Sequence, residues 1–332
     1  MTAGPGAGAL APPGRARPAW RERRDLVLVA VTAASAALVG LVNPGFLAAG
    51  NLRFVLLNSV VLSIVALGQT LVIAMRGIDL SVAPLMGLSA MLCGLLAENH
   101  GLPLGGALGI ALAVGLVLGT MNGVLVAALN IPPIITTLGT YSLFGGLTFL
   151  YSDGTQVDQV PPAYAAFGNT GPFGVPVPTP VLLLIALTAA CWFVVGHVRF
   201  GRAVLAVGNN AAAAYNAGLR VTAIRIQVYA LSGLLASLGG LIFVCYTGSA
   251  TVTTGTGDHV ELQSIAVALV GGTLIAGGRA NIPGTVLASL FLSTVLTALV
   301  FLQVPPIWYS AGEGLMILVA VRGGTRRAAR GA

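Results

Sequence analysis

The chain has 332 residues, 56% of them hydrophobic and only 8% charged, against ~25% charged in a soluble domain. This composition excludes a soluble globule, and it excludes disorder, which needs low hydrophobicity. The net charge is +7 and every basic residue is arginine, so the lysine of a phosphate-binding P-loop is absent and ATP hydrolysis by that route is excluded.

In chain order, residues 1–25 read as a disordered, arginine-rich tail, with Arg15, Arg17, Arg21, Arg23 and Arg24 just ahead of the first apolar run. Ala34-Ser35-Ala36 resembles a cleavage site, but the run beside it reads better as an uncleaved first span. A spanning helix needs ~20 mostly apolar residues. Ten runs are candidates: 26–42, 55–75, 82–97, 103–129, 134–150, 181–198, 226–247, 263–278, 284–302 and 306–321. Several are short, which predicts oblique or broken helices. The predicted fold class is therefore all-α, a polytopic membrane domain over 26–321 with a tail at 322–332. If both termini are placed inside, fifteen of the sixteen arginines fall in inner segments and only Arg53 falls outside. This is the asymmetry of the positive-inside rule. It accounts for the basic balance without nucleic acid, whose usual interleaving of aromatic and basic residues is missing.

Between the runs, the proline-rich segment 151–180 reads as an outer loop with a short helix near 163–167. The segment 199–225 reads as an inner loop. There Gly208-Asn209-Asn210 predicts a turn and an N-cap, Ala211–Tyr215 a short helix, and Gly218 its stop. Gly68–Leu71 with Arg76 echoes Gly271–Leu274 with Arg279 at an offset of 203, which either duplication or chance could produce.

Polar groups inside apolar runs are costly. Asp79 is predicted to cap the third helix or to mark a break lining a polar path, with Ser81 beside it. Asn58, Gln69, Asn122, Thr136 and Thr137 are neutral candidates for that path or for bonds between helices. Cys93, Cys191 and Cys245 read as apolar core. His100, His197 and His259 lie too far apart in sequence to predict a metal site, and no catalytic constellation is present.

The strings Asn43-Pro44-Gly45-Phe46-Leu47, ALGQTLVIAMRGIDLSV (66–82), Asn130–Thr140, RFGRAVLAVGNNAAAA (199–214), ELQSIAVALVGGTLIAGG (261–278) and GLMILVAV (314–321) resemble the ribose-type sugar ABC permease family. The resemblance implies the membrane subunit of a bacterial importer in the cytoplasmic membrane. It implies that such a subunit pairs with a second permease copy or paralogue, with cytoplasmic ATP-binding subunits that hold the ATP and Mg, and with an extracytoplasmic solute-binding protein. It also implies that Gly201, Arg202, Asn210, Ala211, Ala212, Ala213, Ala214, Tyr215 and Gly218 form the segment that couples to the ATPase. The chain departs from the family pattern at Ala212, Tyr215, Gln263 and Ala83-Pro84, where charges or a glycine are common. Rival expectations are an ion-coupled transporter using Asp79 or Glu313, a passive channel, and a structural subunit with no solute path.

Overall fold

A computed structural model describes residues 19–305, 307–309, 311, 312, 314 and 315. Among the described residues up to Phe301, twelve α-helices follow in order: α1 (Ala19–Val42), α2 (Ala49–Ala74), α3 (Val82–His100), α4 (Leu104–Ala127), α5 (Pro133–Ser152), α6 (Pro162–Asn169), α7 (Thr179–His197), α8 (Arg199–Asn209), α9 (Ala211–Asn216), α10 (Val221–Thr247), α11 (Val260–Gly271) and α12 (Ile282–Phe301). Eight of these are long and apolar enough to cross a membrane: α1, α2, α3, α4, α5, α7, α10 and α12. The run at 263–278 is interrupted: α11 ends at Gly271, and Gly272 takes φ +110. The run at 306–321 and the tail 322–332 lie largely outside the described residues, as does Glu313. Helix α1 begins at Ala19, inside the expected tail. The protein is a multi-pass, all-helical membrane protein.

Helices α2, α3 and α10 form the centre and are buried over most of their length. Helices α1, α5 and α7 form the periphery and expose Leu41, Leu150 and Phe193, as lipid-facing helices do. Lipid removes the hydrophobic drive for helix pairing, so close packing must supply the attraction. In α4, Gly115, Gly119 and Gly123 do this by letting α10 approach backbone to backbone. A Cβ at Gly119 would lie 2.5 Å from the Tyr229 carbonyl oxygen, so a methyl group at that position would push the two helices apart.

Two breaks interrupt the bundle, at 75–81 between α2 and α3 and at 272–281 between α11 and α12. Of the sequence echo, Arg76, Gly272–Leu274 and Arg279 fall on these segments, whereas Gly68–Leu71 lies within α2. The two breaks meet where the Gly278 N–H donates to the Ala74 carbonyl at 2.8 Å. Arg24 of α1 donates to the Leu269 carbonyl at 3.0 Å and also to that of Val270, placing a cation on the negative end of the α11 dipole. Asp25 accepts from Asn281 at 3.3 Å. Arg24, Arg76, Arg279 and the arginines flanking α8–α9 thus gather on one face, here the α9 face. Arg53 stands at the other end of α2.

On that other face, the expected short helix is α6, which lies over the end of α10. Tyr164 is buried there and donates to the Leu102 carbonyl at 2.8 Å, and burial pushes its phenol up to about 12.

Candidate functional site

Five of the seven residues expected to line a path converge on one segment, 78–81. Asp79 is 2% exposed. Its Oδ1 accepts the Ser81 N–H at 3.0 Å and the Ser81 hydroxyl at 2.6 Å, and its Oδ2 accepts the Ser232 hydroxyl of α10 at 3.1 Å. Asn122 of α4 donates to the Ser81 hydroxyl at 2.7 Å. Thr137 of α5 donates to the Ile78 carbonyl at 3.3 Å. Gln69, with its amide turned so that both ends are satisfied, donates to the Asp79 carbonyl at 3.1 Å and accepts its N–H at 3.3 Å. Irregular backbone at membrane depth is tolerated only where protein supplies its hydrogen bonds, and these side chains supply them. Asp79 does not cap α3 through that helix's own first-turn amides; it folds the chain ahead of Ser81, which is the N-cap residue.

Thr136 is buried and its hydroxyl has no partner. Asn58 lies elsewhere, bonded to the Tyr246 hydroxyl. It borders a cavity of about 690 Å3 that opens toward the α6 face. Gln263, Ser293, Thr297, Tyr246 and Phe54 share that lining. Sequence reasoning missed most of this set. The signal was there in α12: Thr285, Ser289, Ser293 and Thr297 repeat every four residues and so share one face. The upper two border the cavity, and the lowest, Thr285, bonds Thr70 of α2 at 3.0 Å.

A second cavity, about 310 Å3, opens on the α9 face and includes Met75, Arg76 and Gly77. Along α2 the first cavity ends at Leu62 and the second begins at Met75. The helix between them, Ser63–Ala74, is wholly buried. At 1.5 Å per residue the two are separated by about 20 Å of closed bundle. Asp79 and its partners belong to that septum and line neither cavity.

The segment expected to couple to a partner is two helices. Gly208 is not a turn: α8 continues through it to Asn209. Asn210 alone breaks the helix and caps α9, its side chain accepting the Ala213 N–H at 3.0 Å. Gly218 ends the unit at φ +84. Within the unit Ala214 is buried, while Ala212 and Ala213 are exposed and Tyr215 is 71% exposed. Gly201 packs on the Val194–Val195 backbone, and Arg202 donates to the His197 carbonyl at 2.9 Å. Arg76, at the end of α2, donates to the Asn209 carbonyl at 2.7 Å. Arg76 thereby ties the α8–α9 unit to the first break, and Gly277 and Gly278 of the second break lie against Gly208 and Asn209. Among the described residues, no cluster of His, Cys, Asp or Glu could hold a metal.

The sequence pattern of the family described as "Branched-chain amino acid transport system / permease component" matches residues 51–321. The ribose import permease protein RbsC of Escherichia coli (strain K12) is 36% identical over 310 residues, covering 91% of this chain and 94% of the relative. The ribose import permease protein RbsC of Bacillus subtilis (strain 168) is 35% identical, over 86% of this chain and 87% of its own length. The autoinducer 2 import system permease protein LsrC of Escherichia coli O157:H7 is 36% identical, over 88% and 85%. No solved structure matches the chain.

Proposed function

This chain belongs to that permease-component family, and we propose from this premise that it is the membrane subunit of an ATP-driven importer for a sugar or similar small polyol. The setting is the bacterial cytoplasmic membrane, with the α9 face inward. The observation that carries the reading is the pair of cavities on opposite faces, divided by a polar septum with a break in its middle. Alternating access needs such a septum, because a solute must leave one side before the other opens. The outer cavity suits a hydroxyl-rich solute: amides and hydroxyls face it from α2, α11 and α12, with Phe54 and Tyr246 to cover apolar ring faces. Relatives named for ribose and autoinducer 2 import support the same solute class.

Helix α9 offers exposed alanines and Tyr215 to a cytoplasmic ATP-binding subunit, which holds the ATP and Mg. Closure of the ATPase pair would tilt α8–α9 and, through Arg76 and Gly278, act on the two breaks. A solute-binding protein would deliver the solute at the α6 face, and a second permease copy or paralogue would complete the membrane dimer.

The deciding experiment is accumulative uptake into vesicles carrying the chain with its ATP-binding and solute-binding partners. Uptake is expected to stop on ATP depletion and to survive collapse of ion gradients; the reverse pattern would establish the ion-coupled alternative. At the cavity, Asn58→Ala and Gln263→Ala are each expected to raise the solute KM about tenfold with the chain still folded, since each removes a hydrogen-bonding group that the solute would otherwise satisfy. Unchanged kinetics in both would remove the outer cavity from the path.

A further inference from the structure

The cavity on the α9 face has an unbalanced lining. Its charged side chains are Arg76, from the end of α2, and Arg225, from the first turn of α10, and no acidic residue borders it. Neither arginine is in an ion pair among the described residues. Arg76 directs one N–H to the Asn209 carbonyl and keeps its other donors. Arg225 is half-buried and makes no hydrogen bond within the described chain. Tyr229 stands one helical turn further along α10 in the same lining. It is 1% exposed, and its hydroxyl is buried without a partner. Asp79, the carboxylate of the adjoining break, is absent from the lining and is held by Ser81 and Ser232.

An orphaned buried hydroxyl and a partly desolvated guanidinium without a counter-charge are each unfavourable. One tetrahedral oxyanion relieves both. Guanidinium groups match phosphate oxygens in pairs of parallel N–H bonds, and a hydroxyl donates to a third. A volume of about 310 Å3 admits a phosphate together with a small attached group.

We propose that the cavity formed by Arg76, Arg225 and Tyr229 is a phosphate-binding site. Two sources carry this chemistry: a soluble phosphate, inorganic or esterified to a small sugar, and the headgroup of an acidic phospholipid. Leu129, Ile134 and Ile135 are exposed beside the Asn130–Pro133 edge of the cavity, where an acyl chain would lie. The site stands on its own geometry; only its cytoplasmic placement rests on the proposed function.

The test uses the full chain in nanodiscs. Inorganic phosphate is titrated by calorimetry into phosphatidylcholine discs, and retention of phosphatidylglycerol is read by native mass spectrometry from mixed discs. Wild type is expected to bind one of the two. Arg225→Gln should weaken that binding about tenfold, the size of a lost charge-assisted bond, and Tyr229→Phe should weaken it severalfold. Arg53→Gln, on the opposite face, should leave it unchanged. Phosphate binding identifies a soluble ligand, and lipid retention alone identifies a headgroup. If Arg225→Gln does not fold, Tyr229→Phe, which removes only a hydroxyl, decides the matter. Binding of neither probe to wild type, or wild-type binding in the variants that fold, overturns the proposal.

Discussion

Gly208→Ala is expected to reduce solute uptake by more than about tenfold while leaving the spanning helices inserted. The reason is steric and specific to one contact. A Cβ at position 208 would lie 1.8 Å from the Ala74 carbonyl oxygen and 2.6 Å from the Gly278 nitrogen. Both obstacles are backbone, and they are hydrogen-bonded to each other at 2.8 Å, so neither can swing aside as a side chain would. The methyl must therefore force α8 off the end of α2 by about 1.5 Å, to restore an ordinary van der Waals separation. Overpacking of this kind typically costs about 1–3 kcal/mol. The displaced helix carries α9, so under the proposed function the strain falls on the joint between ATPase and septum. Uptake by reconstituted vesicles, with the spacing of α8 and α2 followed by paired spin labels, would read both effects. Gly196→Ala in α7 is the control, because a Cβ there meets nothing within 4 Å. Wild-type uptake in Gly208→Ala would show that the contact transmits nothing.

The second large effect is expected at Asp79, where two substitutions separate shape from charge. Asp79→Ala leaves the Ser81 N–H and the Ser81 and Ser232 hydroxyls without their acceptor. A buried polar group without a partner costs about 1–3 kcal/mol. Asn122 would lose register as well, because it bonds the same Ser81 hydroxyl. Asp79→Ala is expected to lower the melting temperature and abolish uptake. Asp79→Asn keeps one acceptor for Ser81 and offers an amide to Ser232, whose hydroxyl can accept as readily as donate. It is expected to retain uptake within about threefold of wild type, as a neutral replacement that keeps its hydrogen bonds can. An ion-coupled mechanism using this carboxylate requires the opposite: a folded but inactive Asn variant.

The two sites differ in how far the sequence disclosed them. Asp79, Gln69, Ser81, Asn122 and Thr137 were legible because polar groups in apolar runs are rare and need a reason. That all five meet at 78–81 was not legible, since three different helices and a break deliver them. Asn58 drew attention on the same ground, yet it sits eleven residues up α2 from Gln69, about 16 Å along the helix, and borders the outer cavity instead. Gly208 read as a turn because Gly-Asn-Asn has turn chemistry. Its position inside α8 reflects a neighbour, the Ala74 carbonyl, that no local pattern encodes. The run at 263–278 read as one span because hydropathy sums side chains and does not register that Gly272 turns the backbone.

By itself the sequence determined the membrane setting, eight of the ten runs expected to span it and the gathering of arginines on one side of them. Each of these follows from transfer free energies between water and lipid, which add residue by residue along a local stretch. The tertiary structure decided which polar groups bond across the septum, where the cavities open and what α8 rests on. Those outcomes depend on contacts between distant parts of the chain, such as Asp79 with Ser232, 153 residues apart, and Arg76 with Asn209, 133 apart. Such contacts exist only once glycine-lined helix faces have brought backbones close enough for short polar side chains to meet.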